Sequence, residues 1–255
     1  MYAEIASCSL RKMQDLTPQC LANIAVAFAR QKISDPELFA AISKRSRLLI
    51  SDFADFDVTN LCWAQACAKH VDHELFHQLA THTVASRYVK RYSAEMASQM
   101  CWAYAVAKVQ HEQLFAELSD FIARHASVFE VQYVANCAWS LAALGVREDS
   151  AWHALARECK GGRLWRYSED QLSAVCWAFA HICWHDAELF QDMIQVASQR
   201  LSEFKVQSLI NFLSAVIVLS EEDWLGGVQD EHSCQDPKEM LERLMDSVVQ
   251  ELQSA

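Results

Sequence analysis

Five glycines and three prolines are all that punctuate 255 residues, where average usage would supply roughly 18 and 13. So few breakers imply long uninterrupted helices. No strand-like alternation accompanies them. No apolar run approaches the roughly 18 residues a membrane span needs, because polar residues interrupt every stretch. The 52% hydrophobic content therefore points to a buried core and no membrane insertion. No CxxC pair occurs among the ten cysteines, which leaves neither a zinc pattern nor a disulfide framework and suits a reducing compartment. The ten histidines show no metal-ligand spacing. No nucleophile–base pair, glycine-rich phosphate loop or recurrent carboxylate pair emerges. The expectation is no enzyme, with no catalytic residue, metal or cofactor.

What the chain does contain is a repeat. Trp63, Trp102, Trp139 and Trp177 fall 39, 37 and 38 residues apart in the phrases NLCWAQACAK, QMCWAYAVAK, NCAWSLAALG and AVCWAFAHIC. Degenerate copies stand at NIAVAFARQK from Asn23 and NFLSAVIVLS from Asn211. Counting back ten residues from each tryptophan slot gives starts at Leu16, Phe53, Tyr92, Phe129, Tyr167 and Phe204, five of them aromatic. A helical period of this length is the signature of a hairpin solenoid. The fold expected is all-α, a right-handed α-solenoid of about six helix-turn-helix repeats of 37–39 residues in one elongated domain.

Each repeat should place a first helix over about its third to seventeenth residue. A second helix then begins near phrases such as Glu37-Leu38-Phe39, Glu74-Leu75-Phe76 and Glu188-Leu189-Phe190. The first helix is apolar around most of its circumference and so should be buried between neighbours, with the tryptophans as structural markers and Cys62, Cys101 and Cys176 as small core residues. The second is amphipathic, an outer convex layer. Residues 1–15 read as a capping helix or partial repeat that contributes Ile5, Cys8 and Met13. Repeats occupy 16–225, a linker 226–236, and an amphipathic helix 237–253, begun by Asp236 and Pro237, closes the array or docks a partner.

Two slots carry the functional reading. Three residues before the tryptophan slot stand Asn23, Asn60, Gln99, Asn136 and Asn211, with Ala174 the exception, and one turn earlier lie Gln19, Gln132 and Gln207 beside Phe56, Glu95 and Asp170. These make a narrow polar stripe on the first helices. Each amide either bonds a loop of its own or the next repeat, or faces a ligand, and the two can coexist. A carboxamide offers both donor and acceptor, which suits a base edge and a peptide backbone equally. The second slot is basic: Arg45, Arg47, Arg87, Lys90, Arg91, Arg124, Arg163, Arg166, Arg200 and Lys205 cluster at second-helix ends or in the loops that follow. They either complement helix C-termini or align into a track for phosphates.

Charge does not decide between ligands. Residues 221–255 hold ten acids against Lys238 and Arg243, a net of −8, while the repeat body has 20 basic and 23 acidic residues, a net of −3. The body is close to neutral, and the acidic tail is a candidate contact for a protein partner.

The pattern Leu/Val-x-Asn-x-x-Trp-Ala-x-Ala, followed about ten residues later by a Leu-Phe helix, resembles the octotricopeptide and heptatricopeptide repeats of organellar RNA-binding proteins. The likeness covers residues 16 to about 220 and is weakest in the sixth copy, where Ser214 replaces the tryptophan. It implies binding of single-stranded RNA along a concave face, in transcript stability, processing or translation, in a chloroplast or mitochondrion. No transit peptide is legible, and nothing after Leu219 looks like the RAP domain that many members carry. By this resemblance the amides are base-contact candidates and the basic loops hold phosphate. The competing expectation is a protein-interaction scaffold or a structural subunit of a larger assembly.

Overall fold

The computed structural model describes residues 1–184, 186–221 and 245–246. It is an all-α, solenoid-like repeat, with no strand among the described residues. The linker and C-terminal helix expected over 226–253 lie outside the described residues, Met245 and Asp246 excepted. Two compact units are present, Met1–Ile122 and one that begins at Ala123.

The first unit contains α1 (Tyr2–Arg11), α2 (Pro18–Arg30), α3 (Pro36–Leu48), α4 (Asp55–Ala68), α5 (His73–Ala85), α6 (Ala94–Ala107) and most of α7 (Glu112–His125). First helices pack side by side, α2 on α4 and α4 on α6, while α1, α3 and α5 form a second row. The other unit repeats the plan. Here α8 (Val131–Ala143), α10 (Glu169–His181) and α12 (Val206–Glu221) lie side by side, with α9 (Asp149–Glu158) on α8 and α11 (Ala187–Ser198) on α10. Alanines make the close rows possible, since Ala25, Ala64, Ala103, Ala138 and Ala178 are buried between helices.

Local chemistry fixes the boundaries. Every repeat start follows a short 3₁₀ turn, at Met13–Asp15, Ile50–Asp52, Tyr88–Arg91, Ala126–Val128, Gly161–Arg166 and Leu201–Glu203. The start residue itself is extended, and Phe53, Tyr92, Phe129 and Tyr167 bury their rings there. Three second helices, α3, α5 and α11, begin on a capping aspartate: Asp35, Asp72 and Asp186 accept the N–H of Leu38, Leu75 and Leu189 at 3.0–3.1 Å. The Leu-Phe pair of each phrase then enters the core.

Cys62, Cys101 and Cys176 are fully buried, and burial pushes the Cys62 thiol up to about 12. In α1 the buried residues are Ala6 and Ser9, followed by Met13, while Ile5 and Cys8 are exposed. This corrects the expected contribution of Ile5 and Cys8. Tyr2, Ala6, Ser9 and Met13 follow the helical 3–4 spacing on one face, and Tyr2 seats edge-on against Phe28 at 5.4 Å.

Candidate nucleic-acid interface

The first helices are not buried all round. Trp63, Trp102, Trp139 and Trp177 are each half-buried, whereas the cysteine slot one residue earlier in α4, α6 and α10 is fully buried. One step along a helix turns the side chain by about 100°, which separates a core slot from a surface slot. The half-exposed tryptophans share their face with the polar stripe, three residues earlier. Phe56, one turn before Asn60, is 59% exposed on α4.

The recurring amides lie on this face, and four of the eight bond one another. Gln132 Nε2 donates to Asn136 Oδ1 at 3.0 Å, and Gln171 Nε2 of α10 donates to Gln132 Oε1 of α8 at 2.7 Å. Gln207 Nε2 donates to Asn211 Oδ1 at 3.1 Å, and Gln99 Nε2 reaches Glu95 at 3.3 Å. Gln19 and Asn23 are exposed and Asn60 is half-buried, and none of the three has a side-chain hydrogen bond among the described residues. Bonds of this kind fix rotamers along the face and leave further donors and acceptors open, because each carboxamide can make up to four.

The basic slot divides in two. Several of its members hold the repeat together by donating to the main-chain carbonyl at or near the repeat start. Arg45 reaches Gln14 O at 2.7 Å, Arg200 reaches Tyr167 O at 2.9 Å, and Arg163 reaches Phe129 O while pairing with Glu158. In the second repeat Tyr88 and His82 do the same to Phe53 O, at 2.7 and 3.0 Å. Arg47 pairs with Asp72 at 2.8 Å, and Arg91 pairs with Asp55 at 3.2 Å while lying over the Tyr88 ring. Lys205 sits between Asp170 and Glu169, and its bond to Asp170 raises its pKa. Arg124 is exposed at the end of α7 and has a partner. Arg87, Lys90 and Arg166 are exposed and carry no ion pair among the described residues.

A third slot was missed. First helices α2, α4, α6, α8 and α10 all end in the same turn, with left-handed backbone at Lys32 (φ 55°), Lys69 (φ 58°), Lys108 (φ 55°), Gly145 (φ 68°) and Cys183 (φ 56°). In each turn that residue's N–H and the next one's close back on the helix, as when Lys69 N reaches Ala66 O at 3.2 Å and His70 N reaches Gln65 O at 3.0 Å. Glycine is the usual occupant, and a side chain there costs about 1–2 kcal/mol. Three consecutive repeats place lysine in it. Aligning the repeat phrases displays the slot, since two tryptophan phrases and the degenerate copy from Asn23 end in lysine and one tryptophan phrase ends in Gly145.

With that geometry in place, a family described as RNA-editing substrate-binding complex 6 protein matches residues 4–149. The chain belongs to this family. The match runs from α1 to the first residue of α9 and includes Trp63, Trp102, Trp139 and the three turn lysines. No curated protein matches the chain. The match is to an RNA-editing family, and not to the octotricopeptide or heptatricopeptide families specifically.

Proposed function

We propose that the chain is an RNA-binding subunit of an RNA-editing assembly that holds single-stranded RNA along its first-helix face, without catalysis of its own, in the mitochondrion. The carrying observation is the face itself: carboxamides and half-exposed tryptophans recur at the same positions on successive first helices. Aromatic rings stack any base, and carboxamides discriminate among base edges. Family membership supports an RNA-related role. A scaffold role beside or instead of RNA binding draws support from Phe56, a large exposed apolar group on the same face, and from the loop cations engaged within the chain.

Fluorescence anisotropy of the full chain with a labelled random single-stranded RNA pool tests the proposal. Binding is expected at about 50 mM salt and should weaken at about 200 mM, as phosphate contacts require. Asn60→Ala combined with Asn136→Ala should change which sequences are retained and leave affinity for the whole pool nearly unaltered. Absence of binding at low salt would leave the scaffold reading alone.

A further inference from the structure

We propose that the turn lysines Lys32, Lys69 and Lys108 carry the phosphates of the single strand, and that a base enters the cleft walled by Trp102. The inference rests on the RNA-binding reading and assigns its phosphate contacts to residues outside the inter-repeat loops. A cleft of about 480 Å³ opens between the ends of α2 and α4, with Lys32 and Lys69 on its rim and Cys67, Trp102 and Val106 among its walls. Its lining includes two cations, one indole and no carboxylate. A flat apolar wall flanked by positive charge matches a base with a phosphate on either side of it.

The rim is held in place. Left-handed turns closed by two main-chain hydrogen bonds fix both lysine Cα positions, and Ser34 Oγ meets His70 Nε2 at 2.7 Å to tie the first turn to the second. Neighbouring first helices set the turns about 8–10 Å apart. All three lysines are exposed and make no ion pair among the described residues, unlike Lys160, which bonds Glu188 at 2.8 Å and Asp186 at 3.1 Å. A peptide strand would need main-chain partners along the cleft, and Ser34 is the single hydroxyl in the lining. Two lysines beside an aromatic wall suit a polyanion that carries stackable bases, which favours RNA over a protein segment. The equivalent turns of the other unit hold Gly145 and Cys183, so the lysine track is confined to the first unit.

The test compares full-length variants against the same labelled RNA pool across a salt series. Lys32→Gln, Lys69→Gln and Lys108→Gln together should make the slope of log affinity against log salt shallower by about 2, at roughly 0.7 per lost single-strand phosphate contact, with no change in sequence preference. Arginine at all three positions should restore it. Trp102→Leu keeps the wall apolar, removes the stacking ring, and should weaken binding about tenfold. The control replaces Arg87, Lys90 and Arg166 with glutamine, an equal loss of charge from the loops. A lysine variant that keeps the parental slope while the loop variant loses it overturns the inference and leaves RNA binding standing. A parent chain that binds no RNA overturns both.

Discussion

Trp152→Ala should destabilise the second unit by about 3–5 kcal/mol, read as an earlier midpoint in denaturant unfolding followed by circular dichroism. Trp152 lies on α9 and is 1% exposed. Its Nε1–H donates to Val146 O at 2.9 Å, and its ring meets Phe179 of α10 edge-on at 5.3 Å. Truncation opens a cavity between the two rows of helices and strands the Val146 carbonyl without its donor. Trp139→Ala, on the neighbouring first helix, should cost under about 2 kcal/mol, because that ring is half-exposed. The contrast separates a tryptophan that holds the repeat from one that faces outward. Equal costs would place the tryptophan slot in the core and remove it from the interface.

Arg163→Ala should cost about 2–3 kcal/mol, whereas Arg166→Ala three residues on should stay within about 0.5 kcal/mol. Arg163 bonds the Phe129 carbonyl and Glu158, and the two paired side chains are 22% and 14% exposed. Its loss leaves a nearly buried carboxylate and a main-chain acceptor unpaired. Arg166 is exposed and bonds neither. Thermal or denaturant unfolding of the two variants checks this. If Arg163→Ala proved neutral for folding yet reduced RNA affinity, the residue would belong to the phosphate track and not to the clamp.

Much of the fold was legible because the repeat is written in side chains that act locally. The aromatic starts mark extended residues after 3₁₀ turns, and Asp35, Asp72 and Asp186 cap helices within their own phrases. The mistakes arose where the outcome depends on neighbours. Apolar composition around the first helix could not tell Cys62 from Trp63, since both are hydrophobic and only packing against α2 and α6 decides which slot is sealed. In α1 hydrophobicity favoured Ile5 and Cys8, but the face turned inward carries Ala6 and Ser9. The basic loops were visible as a cluster, while the carbonyls that Arg45, Arg163 and Arg200 serve lie about 30 residues away in sequence. The turn lysines gave no sign of a left-handed turn because glycine is its usual occupant, and only Gly145 carries that mark.

Photocrosslinking of 4-thiouridine-containing single-stranded RNA to the full chain, with the adducts mapped by mass spectrometry, tests the location of the interface most directly. Adducts should concentrate on first helices and the turns that end them, at Trp63, Trp102, Lys32 and Lys69 above all. Adducts confined to the second helices α3, α5, α9 and α11 under saturating RNA would contradict it.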